Sequence, residues 1–141
     1  MGDTLASALL ANAVSLVNRS FKLHRPRGIV GSGAEEPNAI LQIGSGASTL
    51  PTQRATQVEL YDGLEARSTT GWSSLRFDFA AFNDLVSPLL AAGFYYKTFM
   101  RPQALWPWYE RFIRAASGFG IAPRAPDPDR YEHRNVHCDV L

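Results

Sequence analysis

The sequence predicts an α+β domain followed by a helical, aromatic-rich extension, and three observations carry that expectation. Apolar residues recur at three- and four-residue spacing over the opening positions. Two short extended-looking segments follow a stretch rich in glycine, proline and charge. After Trp72 the texture changes to helical apolar repeats and clustered aromatics. Such periodicities separate helix from strand before any other signal does.

Asp3 or Thr4 can cap the first helix, where Leu5, Leu9, Ala13 and Leu16 share a face that continues to about Val17. That face needs a sheet to cover it. Residues 22–37 read as an irregular loop. Ala39-Ile-Leu-Gln-Ile43 reads as a short strand closed by Gly44-Ser-Gly46. Thr56-Gln-Val-Glu-Leu60 alternates polar and apolar side chains before the turn at Tyr61-Asp-Gly63 and reads as a second strand. One helix, a long loop and a strand pair suit a β-grasp domain over residues 1–70.

Residues 71–121 read as a helical extension. Asp78 is a candidate cap, and Phe79, Phe82, Leu85, Val86 and Leu89 follow on a helical period that Pro88 bends or ends. The aromatic tract comprises Phe94-Tyr-Tyr-Lys-Thr-Phe99 and Trp106-Pro-Trp-Tyr-Glu-Arg-Phe112. Its second part opens a helix to about Ala116, stopped by Gly118 and Gly120. Residues 122–137 form a stiff, proline-rich linker, and Cys138-Asp-Val-Leu141 reads as the start of a strand. A β-grasp fold ordinarily opens with a hairpin before its helix, and here that hairpin is missing. Both ends of the chain therefore read as cut.

Composition narrows the functional classes. The chain has 141 residues, a 45% hydrophobic fraction and a formal net charge of +1, which describes an ordinary globular domain and argues against nucleic-acid binding. Its single cysteine, Cys138, excludes an internal disulfide and any multi-thiolate metal site, and points to a reducing, cytoplasmic setting. The N-terminus lacks the basic region of a signal peptide. No apolar run approaches the roughly 20 residues of a membrane span, so a soluble protein is expected.

The stretch Arg19-Ser-Phe-Lys-Leu-His-Arg-Pro-Arg-Gly-Ile-Val-Gly-Ser-Gly-Ala-Glu-Glu-Pro-Asn-Ala39 resembles the loop of a plant-type [2Fe–2S] ferredoxin. That loop reads Cys-Gly-x-Gly-x-Cys-x-x-Cys, with a fourth Cys further on. Gly31 and Gly33 hold the glycine positions, whereas Val30, Glu35, Asn38 and Thr56 stand where the ligands would be. Such a cluster takes four cysteine thiolates, and valine cannot ligate iron. The resemblance implies an incomplete β-grasp scaffold whose cluster chemistry has been removed.

The chain as a whole resembles the N-terminal region of the alpha subunit of heterotetrameric sarcosine oxidase. The residues carrying this include Gly2-Asp-Thr-Leu-Ala-Ser-Ala-Leu-Leu-Ala-Asn12, Glu35-Glu-Pro-Asn-Ala39, Arg54-Ala-Thr-Gln-Val-Glu-Leu-Tyr-Asp-Gly-Leu64, Gly93-Phe-Tyr-Tyr-Lys-Thr-Phe-Met100 and Pro128-Asp-Arg-Tyr-Glu-His-Arg134. The resemblance implies a complex with beta, gamma and delta subunits that uses FAD, FMN, NAD and tetrahydrofolate. It demethylates sarcosine to glycine, passes on the one-carbon unit and forms peroxide. Residues 138–141 would open a dinucleotide-binding domain whose glycine fingerprint lies beyond Leu141. No reaction centre of the family maps onto these residues, so neither a catalytic residue nor a bound cofactor is expected here, and the role is structural. The alternatives are a non-catalytic interaction module or a subunit of a related secondary-amine dehydrogenase. A free-standing electron-transfer ferredoxin is a further reading, against which the missing cysteines count.

The remaining candidate sites have plainer readings beside them. Gly31-Ser-Gly33 and Gly44-Ser-Gly46 lack the rest of a dinucleotide or P-loop fingerprint and read as turn glycines. Arg19, Lys22, His24, Arg25 and Arg27 can present donors to a phosphate or carboxylate. Pairing with Glu35, Glu36 or another subunit's acids is preferred; Lys22, Arg25 and Arg27 are retained as interface or anion contacts. His133 and His137 have the i, i+4 spacing of metal ligands, but only a helix makes that spacing converge. Cys138 reads as a buried thiol and not as a nucleophile. The aromatic tract reads as core or interface before it reads as a flavin stack. Within it Lys97 stands as a flavin-phosphate partner or an intersubunit ion pair.

Overall fold

Helix α1 (Leu5–Ala11) begins where Thr4 and Ser7 close a capping box, with Ser7 N–H donating to Thr4 Oγ1 at 3.3 Å and Thr4 N–H donating to Ser7 Oγ at 3.0 Å. The computed structural model describes residues 2–89, 93, 101–130, 132–135 and 137. The first helical N–H groups, which have no partner inside a helix, are taken by a neighbouring segment. Leu5 N–H donates to Val58 O and Ala6 N–H to Ala55 O, each at 2.9 Å.

The helix is shorter than its apolar spacing predicts. Ala13 adopts the left-handed conformation at φ 57°. Val14 N–H then donates to Leu9 O at 2.8 Å and Ala13 N–H to Leu10 O at 3.0 Å. This six-to-one and five-to-two pairing is a Schellman closure, and Asn12 Nδ2 adds a bond to Ala8 O. Ala13 and Leu16 therefore leave the helical face on which their spacing would place them.

The chain next forms β1 (Asn18–Arg19) and β2 (Pro26–Arg27), paired antiparallel with Asn18 opposite Arg27. Part of the expected irregular loop is thus a hairpin, whose end turns through His24 at φ 52°. Strand β3 (Ile40–Ile43) is the centre of a three-stranded antiparallel sheet in the order β4–β3–β5, with β4 at Leu50–Arg54 and β5 at Ala66–Arg67. The first predicted strand is present, and its Leu41 and Ile43 are buried.

The second predicted strand, residues 56–60, does not pair with β3. The chain turns after β4, with Gln57 N–H donating to Arg54 O at 2.9 Å. Residues 58–60 then run beside residues 3–5, where Glu59 bridges Thr4. The true neighbour of β3 contains Pro51, which an edge strand accepts because one side of it needs no ladder bond. A bulge opposite Leu41 and Ile43, with Thr52 at φ 56°, absorbs one extra residue. Among the described residues the core comprises Leu5, Ala6, Val17, Ala39, Leu41, Ile43 and Ala55, with Leu9, Ile29, Val58 and Leu64 packed against it. The fold is α+β, as the order of helix, loop and strand predicts.

Asp78 caps the next segment by accepting from Ala80 N–H, as the sequence predicts, but no α-helix follows. Residues Phe79–Asp84 and Ser87–Leu89 are 3₁₀ turns. The side chains expected to form a covered face are open to solvent, with Phe79 67%, Phe82 65% and Leu85 74% exposed. Helix α2 (Trp106–Ala116) carries a proline in its first turn, where no N–H is needed. Trp108 and Phe112 meet edge to face at a centroid distance of 4.6 Å, and both stay exposed. The helix closes at Ser117, and Gly118 turns the chain at φ 73°. There Thr69 Oγ1 donates to Gly118 O, and a Cβ on Gly118 would collide with Thr70 Cγ2, so this close approach requires glycine.

Among the described residues no helix is long and apolar enough to cross a membrane. Residues 94–99 with Lys97, and Cys138 with residues 139–141, lie outside the described residues.

Glycine reaches the left-handed region without the strain an alanine Cβ brings, so Ala13→Gly is expected to stabilise the fold by about 0.5–1 kcal/mol. Denaturant midpoints of the two proteins measure this; an unchanged or lower midpoint for the variant would contradict the assigned helix end.

Candidate functional site

Residues 28–39 connect β2 to β3, and their backbone N–H groups turn inward onto one side chain. Glu36 is completely buried. Its Oε2 accepts from Val30 N–H at 2.8 Å and Gly31 N–H at 2.5 Å, and its Oε1 from Asn38 N–H at 2.7 Å and Ala39 N–H at 3.0 Å. Burial opposes the ionised form, but these four donors outweigh it and hold the carboxyl below the ordinary glutamate range.

Glu35 repeats the arrangement at the surface. Its Oε1 accepts from Ser32 N–H and Gly33 N–H, each at 2.9 Å. Its own backbone N–H and those two donors lower its pKa. The two loop glycines leave room for these carboxylates: a Cβ on Gly31 would lie 3.0 Å from Glu36 Cα, and one on Gly33 would lie 2.7 Å from Glu35 Oε2.

The four positions at which the loop resemblance would place cluster ligands make other contacts here. Val30 exposes its side chain and gives its N–H to Glu36. Asn38 also gives its N–H to Glu36, and Thr56 Oγ1 donates to Gly33 O at 2.7 Å. A plant-type [2Fe–2S] cluster takes four cysteine thiolates, the chain has one cysteine, and a carboxylate already occupies the inward-facing donors. The residues present do not fit that cluster.

A second buried polar node joins the β1–β2 hairpin to residues 72–80. Asp78 Oδ2 lies 2.7 Å from His24 Nδ1 and 3.5 Å from Arg19 Nε, while its Oδ1 accepts from Trp72 N–H at 2.9 Å and Ala80 N–H at 3.0 Å. Arg19 also donates to Leu75 O at 2.7 Å and to His24 O at 2.6 Å. All three side chains are buried. Burial works against the Asp78 charge, yet Trp72 N–H, His24 and Ala80 N–H together bring its pKa below the ordinary aspartate range.

The basic residues singled out in the sequence thus separate into different environments. Arg19 and His24 face Asp78, and Arg25 pairs with Asp84 at 2.7 Å in the open. The preferred acids Glu35 and Glu36 instead take backbone N–H groups of their own loop. The carbonyl of Lys22 accepts from Asn83 Nδ2. Arg27, Arg54 and Phe119 line an open cleft of about 730 Å³ between the hairpin, the start of β3 and the chain beyond α2. His133 and His137 are exposed and not helical. Among the described residues no three His, Cys, Asp or Glu side chains are grouped to hold a metal ion. The two residues that organise the polar interior, Glu36 and Asp78, were legible only as a possible ion-pair partner and a cap.

A family model for the 2Fe-2S iron-sulfur cluster binding domain matches residues 1–71. Sarcosine oxidase subunit alpha of Rhizobium meliloti (strain 1021) is 60% identical over 141 residues, which is 99% of this chain and 14% of that protein. The subunit of the same name from Corynebacterium sp. (strain U-96) is 45% identical over 76 residues, covering 50% of this chain and 8% of its own length. The one from Corynebacterium sp. (strain P-1) is 52% identical over 42 residues, covering 30% and 4%. The chain therefore spans about one-seventh or less of each of these relatives. No solved structure matches it.

Asp78→Asn leaves the buried Arg19 without its counter-charge, and breaking a buried pair this way costs about 3–5 kcal/mol. Because the Asp78 pKa is lowered by folding, its contribution is complete above about pH 4 and is lost as the pH falls through the lower folded value. Urea unfolding across this acid range is expected to show a steeper loss for the native chain than for Asp78→Asn. Parallel curves would contradict the assignment.

Proposed function

Because the chain belongs to the family of 2Fe-2S iron-sulfur cluster binding domains, yet has a glutamate where its loop donors converge, we propose that it is a structural and not a redox element of a sarcosine oxidase alpha-type subunit. In this reading residues 1–70 are the ferredoxin-like unit, residues 71–121 an extension and residues 122–137 a connector. The assembly it serves would demethylate sarcosine to glycine with flavin, NAD and tetrahydrofolate bound by other parts. Another secondary amine in place of sarcosine is the alternative substrate.

The observation that carries a structural role is the amount of aromatic surface left uncovered. Phe77, Phe79 and Phe82, and Trp106, Trp108 and Phe112 of α2, are all exposed. Large aromatic side chains gain most from burial at an interface, and exposed apolar patches mark such surfaces. In the proposed complex, these side chains pack against the remainder of an alpha subunit or against its partners. Lys22, Arg25, Arg27 and Lys97 are the polar contacts assigned to the same role.

Two measurements test this. The purified chain should show neither visible absorbance nor sarcosine-dependent peroxide formation; either signal would refute a purely structural role. In the assembled oxidase, Phe82→Ser and Trp108→Ser are expected to weaken assembly about tenfold or more each, as loss of aromatic anchors does. Unchanged assembly in size-exclusion chromatography would remove the interface assignment.

A further inference from the structure

We propose that residues 28–39 form an anion-binding loop that the chain occupies with its own carboxylate, and that removing the Glu36 side chain opens this site to a small external carboxylate. Val30 and Gly31 give adjacent N–H groups to one oxygen, and Asn38 and Ala39 give adjacent N–H groups to the other. Successive backbone N–H groups curved around a point make a concave nest that attracts anions, including phosphates and iron–sulfur clusters. Here two such pairs face each other across one carboxylate.

Glu36 does not stand at a cluster-ligand position. Those positions are Val30, Glu35, Asn38 and Thr56, and two of them contribute the N–H donors that Glu36 receives. The glutamate therefore does not replace a thiolate. It occupies the interior of the loop, where it supplies the negative charge and the acceptors that the donors require. The fully buried position gives the carboxylate its weight in the loop, because a buried N–H left without an acceptor is destabilising. Gly31 completes the arrangement, since a Cβ there would press on the Glu36 backbone.

The chemistry fixes the class of ligand. Two oxygens, each accepting two N–H bonds, with a single negative charge shared between them, describe a small carboxylate. Glu36→Ala deletes Cγ and the carboxyl group, and formate supplies the carboxyl with a hydrogen where Cγ stood. Glu36→Gly makes more room for the same ion. Glu36→Gln fills the space but turns one acceptor into a donor facing N–H groups, so formate cannot help it.

The experiment is thermal unfolding of the full chain and these variants in sodium formate and in sodium chloride at equal ionic strength. Glu36→Ala is expected to melt lower than the native chain in chloride and to recover with formate in a saturable way. For a site with a dissociation constant of about 50 mM, about 500 mM formate shifts the folding equilibrium roughly tenfold. The native chain, its site filled, should respond to formate and chloride alike. Glu36→Gln should melt lower than the native chain and show no recovery. If Glu36→Ala or Glu36→Gly is unfolded in chloride and folds on adding formate, the same conclusion follows. The proposal is overturned if formate acts equally on native and truncated chains, if Glu36→Gln is as stable as the native chain, or if formate restores neither truncated variant.

Discussion

The structure depends on one constraint: a loop that turns four backbone N–H groups inward must give them an acceptor. Glu36 is that acceptor, and the neighbouring structure is arranged around it. Ala39, one of the donors, is the residue before β3 and sits in the apolar core. Arg54, at the end of β4, donates to the Glu36 carbonyl at 3.2 Å, and Thr56 ties the far side of the loop through Gly33 O. The helix then rests on the same turn, since Ala55 and Val58 accept its first N–H groups. Loop, sheet edge and helix start are thus coupled through one buried carboxylate.

Polar interactions carry this much because the apolar core is small. A domain of this size buries limited apolar surface, and among the described residues three of the seven buried core side chains are alanines. The Arg19–His24–Asp78 node performs for residues 72–80 what Glu36 performs for the loop. The surface pair of Arg25 and Asp84 has similar geometry but is open to water, where ion pairs contribute at most about 1 kcal/mol. Burial, not distance, separates the consequential pairs from the incidental one.

The sequence made legible what depends on local pattern. Thr4 as a cap, the β3 strand, Asp78 as a cap and the end of α2 near Ala116 all follow from residues close in the chain. It misled where a reversal of the backbone or a distant partner decides. The apolar spacing of Leu5 to Leu16 continues past the point where Ala13 reverses the chain. The alternation of residues 56–60 is genuine, but its partner is the stretch before α1 and not β3. Pro51 concealed β4, because only the strand order shows that it lies at an edge. In the loop, the missing cysteines were plain, and the burial of Glu36 was not. Two adjacent glutamates between Gly33 and Pro37 look solvated until the N–H groups of residues 38 and 39 are seen returning to the side chain of Glu36.

The coupling of loop, sheet and helix requires those donors to be held by Glu36, and residue-resolved amide hydrogen exchange of the native chain measures this. The amides of Val30, Gly31, Asn38 and Ala39 should exchange as slowly as that of Leu41 in the central strand. Those of Ser32 and Gly33, bonded only to the exposed Glu35, should exchange far faster. Exchange of all six at the rate of the open segment 122–130 would mean that the carboxylate does not hold the loop.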